Sequence, residues 1–145
     1  MMSEAARQQG SAGARGKTTK DFLIESDLIV DFLKGVEGAK TALERIADEG
    51  VLRLSAVSAA EVAAAAREAT REATTRLIES FGIVPVDREV ALLAGLYLAG
   101  DNRGKLELGD CIVAATCHKL GAVLVTRGRR GYPADGFEIL TVPYK

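Results

Sequence analysis

The sequence predicts an α/β fold in which helices cover both faces of a single, mainly parallel sheet. Three observations predict it: short apolar runs of strand length recur along the chain, segments with helical apolar spacing separate them, and no internal repeat or second core interrupts the alternation. At 145 residues the chain is the size of one domain, and folding at that length buries roughly 68–70% of the surface of the unfolded chain. Residues 1–19 are polar, rich in Gly, Ser and Ala, and carry no apolar periodicity, so a disordered N-terminal tail is expected there, followed by one domain over 20–145.

Taken in order, Phe22-Leu23-Ile24 reads as a strand buried on both faces that stops at the acid Glu25. Leu28, Ile29, Phe32 and Leu33 then form one stripe of a helix, with Ser26 or Asp27 available as its cap. Ala39, Ala42, Leu43 and Ile46 make the apolar stripe of a second helix, for which Gly50 is the natural stop. Val51-Leu52-Arg53-Leu54-Ser55 reads as a strand, and Ser58-Ala59-Ala60-Glu61 opens an alanine-rich helix with a capping-box pattern. That pattern leaves Glu61 two roles, a local cap or a metal ligand.

The helical pattern continues over 62–81, where Arg67, Glu68, Arg71, Glu72, Arg76 and Glu79 read as a solvated charged face. Ile83-Val84-Pro85-Val86 is a short strand, Asp87 a cap, and Val90, Leu93, Ala94, Tyr97 and Leu98 the stripe of the next helix. After a loop at 100–104, residues 106–121 form a strongly apolar helix that carries Asp110 near its start. Ala122-Val123-Leu124-Val125-Thr126 is the clearest buried strand, and Phe137 to Val142 the last. Arg127, Arg129 and Arg130 follow the buried strand at once, either as a solvated turn or as contacts to a phosphate backbone.

Composition narrows the function classes. No apolar run approaches the roughly 20 residues that span a bilayer, and the tail lacks the apolar segment of a secretory signal, so a cytoplasmic protein without a membrane partner is expected. A net charge of -1 gives no general attraction to polyanions, and any RNA binding has to come from a local basic patch. Cys111 and Cys117, six apart, fit neither a thiolate metal site nor a redox motif and read as small core residues in a reducing compartment. His118 lies late in the same helix, where a cation is mildly favourable.

Glu25 after the first strand, Glu61 just after the second and Asp110 near the start of the helix directly before a third can converge at one sheet edge, the edge where open α/β sheets bind ligands. Converging acids raise one another's pKa unless a cation neutralises them, and oxygen ligands without His or Cys favour Mg²⁺ or Mn²⁺. Next to arginines, such a metal suits phosphodiester hydrolysis by a water nucleophile.

These residues resemble the PIN-domain ribonucleases, especially the VapC-type toxins of toxin–antitoxin pairs. The resemblance spans 22–143 and rests on the apolar strand, acid and serine at Phe22 to Ser26, the central glutamate in Ser58-Ala59-Ala60-Glu61-Val62, the helix Leu108-Gly109-Asp110-Cys111-Ile112-Val113-Ala114-Ala115-Thr116, and Leu124-Val125-Thr126-Arg127 with Tyr132-Pro133 beyond it. It implies a three-layer α/β/α sandwich, an Mg²⁺- or Mn²⁺-dependent endoribonuclease acting on RNA, homodimerisation and an antitoxin protein as partner. It also implies Glu25, Glu61 and Asp110 as catalytic metal ligands, with Ser26, Asp31, Glu107 and Thr126 around them and Arg127, Arg129 and Arg130 toward the RNA backbone.

Two positions depart from the family pattern. Glu25 stands where the family usually has aspartate, and Gly128 where it often has a fourth acid. The departures motivate a second reading, a PIN-like protein that binds RNA or a partner without turnover. A phosphoacceptor receiver domain lacks its acidic pair and its late strand-end lysine here.

Overall fold

A computed structural model describes residues 19–128, 131–133 and 136–144. The order is β1 (Lys20–Ile24), α1 (Ser26–Leu33), α2 (Glu37–Glu49), β2 (Gly50–Ser55), α3 (Ala56–Ala65), a 3-10 turn (Glu68–Thr70), α4 (Arg71–Ser80), β3 (Gly82–Val84), α5 (Arg88–Ala99), α6 (Leu108–Leu120), β4 (Val123–Thr126) and β5 (Glu138–Thr141). The five strands are all parallel, in the order β3-β2-β1-β4-β5. Apart from Thr19, the tail expected at 1–19 lies outside the described residues.

Side chains alternate across a strand, and this alternation builds the two apolar layers. Phe22 and Ile24 of β1, with Val123 and Val125 of β4, face Leu28, Ile29, Ala39, Ala42, Leu43 and Ile46 of α1 and α2. Leu23 and Leu124 point the other way, against Val113 and Cys117 of α6. The far side of α6 packs Cys111 and Ala115 on Val90 and Ala94 of α5. A helix caught between a sheet and another helix has little solvent-facing surface, which explains the all-round apolar character of α6. The result is the expected three-layer α/β/α sandwich.

Three local readings need correction. The continuous helix expected over 62–81 is broken: Ala66 (ψ 140°) and Arg67 (φ -92°, ψ 164°) are extended between α3 and the 3-10 turn. Ala and Arg are both good helix formers, so the break is a tertiary choice. It lets Leu77, Ile78 and Phe81 join the same layer as Val62. The start of α3 also lies earlier than expected, because Ser55 rather than Ser58 accepts from the Val57 N–H (3.2 Å). Neither Ser26 nor Asp27 caps α1; Glu25 does, accepting from the Ser26 N–H. By contrast, Asp87 caps α5 through Val90 as expected (2.9 Å), and Gly121, at φ 65°, ends α6 in the left-handed conformation.

Gly50 ends α2 for a different reason from the one its type suggests. Its backbone is extended (φ -177°), so conformation alone would admit any residue. Space would not: a Cβ there would sit 2.3 Å from the Lys20 carbonyl oxygen of the paired strand and 2.8 Å from the Phe22 ring. Gly50→Ala is therefore expected to destabilise the fold by about 1–3 kcal/mol in urea denaturation. Gly95→Ala, on α5 with open space around it, should stabilise by about 0.5–1 kcal/mol.

Candidate active site

The strand order reverses direction at β1. From there the chain builds outward through β2 and β3 on one side and later through β4 and β5 on the other. The carboxyl ends of β1 and β4 therefore meet at a topological switch point, the usual place for a ligand crevice. Register Ile24↔Val125 brings Glu25 level with Thr126, and the Glu25 N–H donates to the Val125 carbonyl (2.9 Å).

Glu25 is only 1% exposed. A buried carboxylate needs donors, and it receives them from three segments. The Ser26 N–H (3.2 Å) and the Ser58 hydroxyl (3.3 Å) donate to Oε1, while the Tyr132 hydroxyl donates to Oε2. Ser58 and Tyr132 are partners that sequence reasoning missed. Ser58 reads locally as part of a capping box, and no local pattern links Ser58 or Tyr132 to Glu25.

Glu61 sits in the middle of α3, exposed, and is not a local cap. Its Oε1 accepts from the Ser26 hydroxyl (2.9 Å), so Ser26 bridges the two glutamates, N–H to Glu25 and O–H to Glu61. Glu61 Oε2 faces the first turn of α6, within 3.4 Å of where a Gly109 side chain would begin. The carboxylate of α3 thus lies beside the turn that carries Asp110, at ordinary van der Waals distance from where a Gly109 Cβ would stand. Asp110 itself is half-buried, and Glu107 is an exposed N-cap position whose side chain makes no capping bond.

Asp27 and Asp31, one turn apart on α1, reach the end of β4. Thr126 donates to Asp27 Oδ2 (3.0 Å) and also lies 3.0 Å from the Gly128 carbonyl oxygen. Asp31 Oδ2 accepts from Arg127 (3.2 Å) and from the Tyr144 hydroxyl (2.8 Å), and the Arg127 guanidinium lies over the Tyr144 ring at 5.6 Å. Burial first, and then the bond to Asp31, hold the Tyr144 phenol well above its usual range. Arg127 still leaves about half of its side chain to solvent. Arg129 and Arg130 lie outside the described residues.

The donors that meet here are carboxylate and hydroxyl oxygens. Both cysteines are buried free thiols, and burial pushes both thiols up, with Glu25 adding to the effect at Cys117 and Asp110 at Cys111. His118 lies eight residues beyond Asp110 on α6, about 12 Å along the axis. Among the described residues, no three His, Cys, Asp or Glu side chains are grouped closely enough to hold a metal ion as they stand. The oxygen donor set nevertheless fits a hard divalent cation, and Asp27 Oδ1, buried without a hydrogen-bond partner among the described residues, is an acceptor that such a charge would suit.

A model of the PIN domain matches residues 22–135, from the first strand through the loop after β4. The chain belongs to the PIN-domain family. Ribonuclease VapC10 of Mycobacterium tuberculosis is 32% identical to this PIN domain over 125 residues, which cover 85% of this chain and 92% of the relative. Among solved structures, a toxin–antitoxin complex from Klebsiella pneumoniae matches this PIN domain with a TM-score of 0.62 at 27% identity, over 73% of this chain and 85% of that one. DNA-bound VapBC from Salmonella typhimurium shares the fold, with a TM-score of 0.67 at 17% identity over 86% and 99% of the two chains.

No helix among the described residues is long and apolar enough to cross a membrane. A raised pKa keeps a thiol neutral and unreactive at pH values where an ordinary cysteine ionises. Cys117 of the native PIN domain should therefore resist iodoacetamide at pH 8.5 and react once the chain is unfolded in urea, as peptide mass analysis would read.

Proposed function

We propose that this PIN domain is a metal-dependent endoribonuclease, the toxin of a toxin–antitoxin pair, acting in the cytoplasm. The observation that carries the proposal is the Ser26 bridge, which ties Glu25 and Glu61 together at the switch point of the sheet. Family membership and the 32% identity to a ribonuclease over most of both chains support RNA as the substrate class. The match to a toxin–antitoxin complex supports a small antitoxin as the protein partner.

In this reading Glu25, Glu61 and Asp110 are the ligands of Mg²⁺ or Mn²⁺. When bound, the ion supplies Lewis acidity toward water and positive charge toward the scissile phosphate. The chain's own residues set the geometry. Ser26 orients Glu61 with its hydroxyl and Glu25 with its N–H, while Thr126 turns Asp27 toward the end of β4. Arg127, aimed by Asp31, presents the outer part of its guanidinium to the RNA backbone, for which its planar donor fork is suited. Arg129 and Arg130 extend the same basic segment in sequence, and Glu107 precedes Asp110 by three residues at the start of α6. Homodimerisation belongs to the proposal as well; Leu92 and Leu96, one turn apart and exposed on α5, offer an apolar surface for it.

Gly128, in place of a fourth acid, and the lack of a ready three-ligand group among the described residues favour one competing reading, a protein that binds RNA or its partner without turnover. Purified, antitoxin-free protein incubated with mixed structured RNAs and Mn²⁺, Mg²⁺ or EDTA separates the two. Cutting in Mn²⁺ or Mg²⁺ that stops in EDTA is expected; RNA retention with no cutting under any metal would establish the competing reading.

Asp110→Asn is expected to lower cleavage by at least about 100-fold with an unchanged circular dichroism spectrum, and equal activity would remove Asp110 from the mechanism. Arg127→Ala should weaken RNA binding about evenly across sequences and reduce the salt slope by about 0.7, as titrations between 50 and 200 mM salt would read.

A further inference from the structure

Glu25 has one more methylene than the aspartate usual at its position, and hence one more rotatable bond. A ligand on a longer arm is held less firmly unless something fixes its far end. Tyr132 is placed to do so. Its ring belongs to the apolar layer of Leu23, Val113, Cys117 and Leu124, and its hydroxyl donates to Glu25 Oε2. The residue after it is Pro133, which restricts the Tyr132 backbone to extended conformations. The opposite oxygen of Glu25 is held by Ser58, itself 1% exposed, and by the Ser26 N–H. The carboxylate is therefore gripped at both oxygens by groups whose own positions are set by the core.

We propose that Tyr132 is the positioning residue for Glu25, and that the glutamate and the tyrosine form a matched pair: the phenol orients the carboxylate of the longer acid toward the cation. This rests on the reading of Glu25 as a metal ligand. Carboxylate ligands are commonly held by such outer partners, whose loss costs about 10–100-fold in metal affinity or activity. The shorter side chain of an aspartate would fall back toward the backbone and away from the phenol. The pairing therefore makes Glu25→Asp a loss of orientation rather than a return to the usual geometry.

The test uses Mn²⁺ alone as the probe, with binding to the full chain followed by titration calorimetry and water-proton relaxation. Wild type is compared with Tyr132→Phe, Glu25→Ala, Glu25→Asp and the double variant Glu25→Asp/Tyr132→Phe. The phenylalanine keeps the ring in its apolar seat, and thermal melts check that each variant is folded. Glu25→Ala is expected to lose Mn²⁺ binding, and Tyr132→Phe to weaken it about 10–100-fold. In the Glu25→Asp background, adding Tyr132→Phe is expected to change affinity by less than about twofold, since non-additivity reports the contact itself. Unchanged or tighter binding in Tyr132→Phe, or the same loss in both backgrounds, overturns the pairing. Full Mn²⁺ affinity in Glu25→Ala overturns instead the metal reading of Glu25, so the two failures are distinguishable.

Discussion

The buried carboxyl group of Glu25 is the constraint on which the rest of the structure depends. A carboxyl group withdrawn from water costs free energy unless its oxygens are hydrogen-bonded. Its donors come from α1, α3 and the loop after β4. Satisfying one side chain thus fastens three segments to the carboxyl end of the central strand. The same three segments carry Glu61, Ser26 and the start of the basic loop.

A second polar seam lies one helical turn along α1. Asp27 and Asp31 project from one face of that helix, since residues four apart are neighbours on its surface. They take Thr126 and Arg127, consecutive residues at the end of β4, and Asp31 also takes Tyr144 near the C-terminus. The apolar stripe of α1 buries Leu28 and Ile29 against the sheet, while its acidic stripe is bonded to the strand end. One short helix therefore seals the core and lines the crevice.

The alternation of strands and helices was legible because strand and helix periods are local. Strand runs such as Phe22-Leu23-Ile24 and Val123-Leu124-Val125 need burial on both faces whatever their neighbours, and Asp87 and Gly121 act within a single turn. The Ser58 to Glu61 pattern misled because a capping box is recognised by spacing alone. The helix begins two residues before Ser58, and both side chains are then free to turn toward α1. The break at Ala66 and Arg67 had no signal, because neither residue opposes a helix.

The position of Glu25 and Asp110 relative to strand and helix ends was likewise readable, as was the oxygen character of the site. What the acids touch was not. Sequence by itself determined the α/β class, the strands that must be buried, the helix ends set by Asp87 and Gly121, and which residues carry charge near the sheet edge, all consequences of interactions within a few residues. Tertiary structure alone decided that Ser26 reaches Glu61 across 35 residues and Tyr132 reaches Glu25 across 107. Those contacts exist because parallel pairing places β1 between β2 and β4, and the order of strands in a sheet is a property of the whole chain rather than of any segment in it.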